Sequence, residues 1–206
     1  MIKSVIFDWG GVLIESPSKQ IISYCAKYLN ISHQKLFTTF LNLKPKFQTA
    51  LISEDEFWNQ ICNEYNINKP TVKSLWKEAF KNSYIENKKV FSIAKSLKKE
   101  GFKIGFLSNT ESPAVEFFHE QNYDFFDELV FSCNEGIRKP DHRIYKIIIN
   151  NLENLPKESI FIDDQLENII AARKIGIHTV HFKDFFSFKK ELNGLLIKYN
   201  SDCEMN

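Results

Sequence analysis

The residues of this chain with the most to offer chemically stand where short apolar runs stop. Lys3 to Phe7 runs into Asp8 and then Gly10-Gly11, KIGFL into Ser108-Asn109-Thr110, ELVFS towards Gly136-Ile137-Arg138-Lys139-Pro140, and SIFI into Asp163-Asp164. Such runs, rich in β-branched and aromatic residues and bounded by turn formers, have the pattern of buried strands. In an open parallel sheet ligands bind beyond the carboxyl ends of the strands. One carboxylate, a small hydroxyl, an ammonium and a carboxylate pair would then face one crevice. The pair is the telling part, because two acids following Phe161-Ile162 at a buried strand's end repel each other unless a cation lies between them. Taken singly, each group has a plainer explanation: a turn aspartate before Gly-Gly, a turn before a helix, an exposed lysine, a pair of helix-capping acids.

The elements that would bring these groups together are of two kinds. From about Val90 helix and strand alternate: VFSIAKSLKKE closed by Gly101, KIGFLS, PAVEFFHEQ, ELVFS, HRIYKIIINNL, SIFID, LENIIAARKI closed by Gly176, and HTVHF. Alternation of this sort implies right-handed crossovers and a parallel sheet with helices on both faces. Between Ser18 and Phe80 the apolar spacing is helical throughout, with Ser53 and Glu56 placed as a capping box. The expected fold is therefore α/β, a Rossmann-like doubly wound sheet (residues 1–15 and 85–206) interrupted after its first strand by an all-helical insertion (residues 16–84).

Composition narrows the partners. Twenty-seven basic residues nearly cancel 26 acidic ones, so no overall field favours nucleic acid or an anionic membrane, and a small molecule is the expected partner. No apolar stretch is long enough to span a bilayer and the amino terminus does not read as a signal peptide, which points to the cytoplasm. Cys25, Cys62, Cys133 and Cys203 form no CxxC pair and read as buried thiols. His33, His119, His142, His178 and His181 show no ligand spacing and read as structural. In the insertion, Phe40, Phe47, Trp58 and Trp76 read as core packing. Lys44 and Lys46 read as solvated, although a lysine there could meet a substrate phosphate.

FDWGGVL, FLSNT, GIRKPDHRIY and FIDD, in this order, resemble the four signature motifs of the haloacid dehalogenase superfamily, from about Ile2 to about Phe182. The spacing resembles the subgroup with a helical cap after motif one and a paired-acid fourth motif. LSNT, RKPxxxIY and IDDxxxN are most similar to its sugar-1-phosphate phosphatase and epoxide-hydrolase N-terminal phosphatase branch. The resemblance implies a Mg²⁺-dependent phosphatase acting on a small phosphorylated metabolite, as monomer or homodimer. Asp8 would be the covalent nucleophile, forming an aspartyl-phosphate. Ser108 and the amides of Asn109 and Thr110 would bind phosphate at the start of a helix carrying Pro113, and Lys139 would add the remaining positive charge. Mg²⁺ would lie between Asp8, the Gly10 carbonyl oxygen and Asp164, with Asp163 ordering a bound water and Asn168 in support.

Two departures bear on function. Most phosphatases of the superfamily carry a second aspartate where this chain has Gly10, and that residue protonates the leaving oxygen and later activates water. Without it, acidic leaving groups such as anomeric, aryl or acyl phosphates should be preferred. Where relatives show a charged Glu-Arg-Gly-Glu-Ile-Ser stretch, this chain has Gln48-Thr49-Ala50-Leu51-Ile52-Ser53, so the substrate cannot be carried over. Two other readings stay open. One is a phospholigand-binding or regulatory protein with little turnover, favoured by Gly10. The other is a 2-haloacid dehalogenase, disfavoured by the Asp163-Asp164 pair.

Overall fold

A computed structural model describes residues 1–200 of the chain. Its sheet has five parallel strands in the order β3-β2-β1-β4-β5. They are β1 (Ser4–Phe7), β2 (Lys103–Ser108), β3 (Glu128–Phe131), β4 (Ser159–Asp163) and β5 (His178–His181). Asp8 ends the central strand, with Phe7 in register with Phe106 of β2 and Ile162 of β4. That register sets the ends of the three central strands, and hence Asp8, Ser108 and Asp163, beside one another.

Alternation along each strand sends side chains to opposite faces. Ile6, Leu107, Val130 and Phe161 pack with Ile144, Tyr145 and Ile148 of α8 (His142–Asn151) and Ile169 and Ala172 of α9 (Leu166–Lys174). Val5, Phe7, Ile104, Phe106 and Ile162 pack on the other face. That face is covered by α5 (Lys88–Lys99), α6 (Ser112–Glu120) and α10 (Phe185–Asn200), the last beyond the range of the sequence motifs. A single helical turn, α7 (Ser132–Glu135), follows β3 and ends on Gly136 in the left-handed region.

The helical insertion comprises α1 (Ser18–Leu29), α2 (His33–Gln48), α3 (Glu54–Tyr65) and α4 (Leu75–Ser83). The capping box forms as read: Ser53 Oγ accepts from the Glu56 N–H, and Glu56 Oε2 accepts from the Ser53 N–H at 2.7 Å. Phe40, Phe47, Trp58 and Trp76 are all buried, as their spacing predicts, and pack with Phe57 in one aromatic cluster. The chain leaves and re-enters the sheet domain through adjoining segments, where Glu15 N–H donates to Ile85 O and Asn87 N–H to Leu13 O. Cys25, Cys62 and Cys133 are buried free thiols, and Cys203 lies outside the described residues. Among the described residues no helix is long and apolar enough to cross a membrane.

Candidate active site

Lys139 organises the floor of the site. Its side chain is 1% exposed, and its ammonium donates to Asp8 Oδ1 at 2.8 Å, Asp163 Oδ2 at 2.7 Å and the Leu107 carbonyl at 3.0 Å. An ammonium has three protons, so all are spoken for. Burial works against the charge, but the Asp163 and Asp8 carboxylates more than offset it and lift the lysine above its usual range. Lys139 reaches this point from a loop with a cis Lys139-Pro140 bond, clasped by Asn109. The Asn109 amide donates to Lys139 O at 2.9 Å and accepts from Lys139 N–H at 2.8 Å.

One ammonium faces three acids. Carboxylate oxygens of Asp8, Asp163 and Asp164 lie within 4.8 Å of one another. Burial, then the charges of Asp163 and Asp164, push the Asp8 carboxyl up to about 8 against the pull of Lys139. Burial, with the Asp163 charge, raises Asp164 as well. A hard cation fits such a place, since the donors are all oxygens and the cluster has more negative charge than Lys139 can balance. Asp163 is the best satisfied of the three: besides Lys139 it accepts from both Asn168 Nδ2 contacts at 3.0 Å and from Gln165 N–H at 2.7 Å. Asp8 and Asp164 are the freer acids.

The sequence alone hides what Gly11 does. Its φ is +87°, and a Cβ there would lie 2.5 Å from the Asp164 carboxyl carbon, so only glycine lets that acid close on the loop after β1. Gly10 is different: its φ lies outside the left-handed range, and a Cβ would meet only Pro17 Cδ at 3.3 Å. Ser108 is 3% exposed and, among the described residues, its hydroxyl has no protein partner, which leaves it for a ligand. The Thr110 N–H, expected on a phosphate, donates instead to Ser132 Oγ at 2.9 Å. The Ser132 hydroxyl in turn donates to the Gln48 carbonyl at 2.5 Å.

Above this floor lies a cleft of about 290 Å³, roofed by residues of which sequence reasoning gave only Lys44 a possible site role. Asp8, Gly10, Ser108, Asn109, Thr110, Lys139, Asp164 and Asn168 line it below, with Phe40, Lys44, Gln48, Trp76 and Phe80 from the insertion. Trp76 is core packing, as expected, yet its indole N–H reaches Glu111 Oε2 at 3.3 Å. Lys44 is half-buried on the cleft wall, whereas Lys46 is exposed. Gln48 Nε2 donates to Asn109 O at 3.1 Å, and its Oε1 is buried without a partner. None of the five histidines lines the cleft. The one signal that could have marked Gln48 and Glu111 is their position: one ends α2, and the other follows Ser108-Asn109-Thr110 directly.

Sequence comparison agrees with this architecture: residues 2–176 match the haloacid dehalogenase-like hydrolase family, and the chain belongs to it. It is 26% identical to Sesquiterpene phosphatase astK of Aspergillus oryzae, over 94% of this chain and 96% of the relative. It is 24% identical to D-ribitol-5-phosphate phosphatase of Bacteroides thetaiotaomicron, over 95% and 99% respectively. Two further relatives are longer, and the chain spans 19% and 37% of them. Among solved structures, it is similar to an Asp-to-Ala mutant of a haloacid dehalogenase family enzyme from Bacteroides thetaiotaomicron in complex with magnesium and inorganic phosphate. The identity is 25% and the TM-score 0.72, covering 89% of this chain and 95% of that one.

Proposed function

We propose that the protein is a Mg²⁺-dependent phosphatase that hydrolyses a small phosphate monoester, a sugar phosphate or similar metabolite, through an aspartyl-phosphate on Asp8. The observation that carries this reading is the buried Lys139 bridging Asp8 and Asp163, with Asp164 completing an acid cluster at the end of the central strands. Lys139 holds Asp8 by one oxygen, which fixes the direction from which the carboxylate meets phosphorus. Ser108, with its free hydroxyl, faces the transferring oxygens, and Lys139, its protons all engaged, adds positive charge from the floor beneath them. Asn109 acts by positioning, through its clasp on the Lys139 peptide.

Asp8 and Asp164 would hold the Mg²⁺ with the Gly10 carbonyl, while Asp163 and Asn168 fix the surroundings. When bound, the ion neutralises the phosphate charge that would otherwise repel the attacking carboxylate. Residues 16–84 serve as a cap over the cleft in this reading. The cleft volume favours a leaving group of metabolite size. Relatives named for phosphatase activity and a magnesium- and phosphate-bound neighbour support the same assignment.

The test is hydrolysis of a panel of phosphate monoesters and acyl phosphates with and without Mg²⁺, by the parent, Asp8→Asn and Gly10→Asp. Turnover that needs Mg²⁺ and disappears in Asp8→Asn supports the proposal. Turnover by Gly10→Asp alone would favour a protein that binds phospholigands without processing them, the reading for which Gly10 is the evidence.

A further inference from the structure

Gly10 leaves the proton of the leaving oxygen without an owner. We propose that Glu111 is that owner: a glutamic acid carried by the core loop after β2 and held from above by Trp76 protonates the leaving group and later activates water. The inference rests on the phosphatase reading above. Glu111 is 5% exposed and lines the same cleft as Asp8 and Gly10. It occupies the N-cap position of α6, yet its side chain makes no capping bond. The carboxyl accepts instead from the Trp76 indole N–H at 3.3 Å, with the Gln48 side chain beside it, both part of the cleft's roof.

In-line displacement puts the leaving oxygen on the far side of phosphorus from the nucleophile. With Asp8 in the floor, that oxygen points to the roof, where Glu111 joins Gln48 and Trp76. The other charged groups facing Glu111 are Lys44 from α2 and Arg138 from the loop before Pro140, with the Cys133 thiol of α7 near it. None is as strong a proton donor as a carboxylic acid. Burial raises the Glu111 carboxyl, against its own backbone N–H, Gln48, Lys44 and Trp76, and the shift runs in the direction a proton donor needs.

The step balances. As an Asp8 oxygen bonds to phosphorus and the bond to the leaving oxygen breaks, that oxygen takes the Glu111 proton and departs as an alcohol. The Glu111 carboxylate then accepts a proton from the water attacking the aspartyl-phosphate. The Asp8–phosphorus bond breaks, inorganic phosphate is released, and Glu111 is again protonated. This reverses the preference for acidic leaving groups that Gly10 alone would predict.

The experiment measures kcat/KM of the Mg²⁺-loaded protein on substituted phenyl phosphates, alike in shape but graded in leaving-group pKa. The parent should show a shallow dependence on that pKa. Glu111→Gln, which still accepts from Trp76, should lose roughly 10²-fold or more on phenyl phosphate but only about threefold on p-nitrophenyl phosphate. The fall of the parent's phenyl phosphate rate at high pH should vanish in the same variant. Adding Gly10→Asp to Glu111→Gln should restore the shallow slope, because Gly10 has ordinary backbone geometry and only Pro17 Cδ nearby. An equal loss across the series would make Glu111 a mere latch between cap and core and overturn the proposal. A steep slope in the parent overturns it without any variant. If the parent hydrolyses no aryl phosphate, or Asp8→Asn hydrolyses it undiminished, the phosphatase reading has failed and this inference goes with it.

Discussion

The floor and the roof of the cleft are built on opposite principles. In the floor, formal charges crowd together around one ammonium: each Lys139 proton has an acceptor, and Asp163 has three contacts besides Lys139. In the roof, aromatic packing does the holding, and polar groups are few and partly unanswered, as at Gln48 Oε1. The difference teaches where error is tolerated. A buried charge network fails when one member goes, whereas an aromatic roof can repack around a change of similar volume.

Substitutions in the two regions test that contrast. Asp8→Asn should cut turnover by roughly 10⁴-fold or more, as loss of a covalent nucleophile does. By contrast Phe40→Leu, in the roof, should shift KM several-fold and leave the chemical step near parent, as single-turnover measurements would show. Lys139→Met strands two buried carboxylates, and should lower unfolding free energy by about 3–5 kcal/mol in denaturant titrations. Gly11→Ala pushes Asp164 away, and calorimetric titration should show Mg²⁺ affinity reduced by roughly 10- to 100-fold. Trp76→Phe keeps the ring but removes the N–H bond to Glu111, and should cost only about 1 kcal/mol in the same denaturant titrations.

Asp141 gives the smallest effect and a check on sign. It caps α8, and Arg143 holds its carboxyl down to about 2. A depressed carboxylate stabilises the fold above its usual range and loses that contribution as pH falls through its folded value. Asp141→Ala should therefore be less stable than the parent by about 1 kcal/mol at neutral pH. The gap should close between about pH 4 and pH 2, followed by thermal melting.

Legibility followed the same division. The floor's groups were readable because strand ends in a parallel sheet are where ligands bind, and because only certain residue types can supply a carboxylate, a hydroxyl or an ammonium. Strand order, by contrast, depends on pairings of residues far apart in the chain, such as Phe7 with Ile162. The roof was legible as helices and as buried aromatics, but not as a site. Gln48 and Glu111 meet only when α2 is laid on the loop after β2, and nothing in either local sequence announces it. Lys44 was only half legible for the same reason: it occupies a helical position that looks solvated in isolation, and the structure sets it half-buried on the cleft wall, where a substrate phosphate could meet it. The bond from Thr110 N–H to Ser132 was not legible, because Ser132 lies on α7, a single turn too short to leave a periodic pattern.

Gly10 and Gly11 are indistinguishable in a sequence, yet mutation should treat them very differently. Gly11 is pinned by its φ and by Asp164, so selection can do little there except retain it. Gly10 is only lightly hemmed by Pro17. From a glycine codon ending in a pyrimidine, one base change installs aspartate, so a second proton carrier lies one mutational step away. The present arrangement can thus be entered or left without passing through an inactive ancestor, provided Glu111 carries the proton in the meantime.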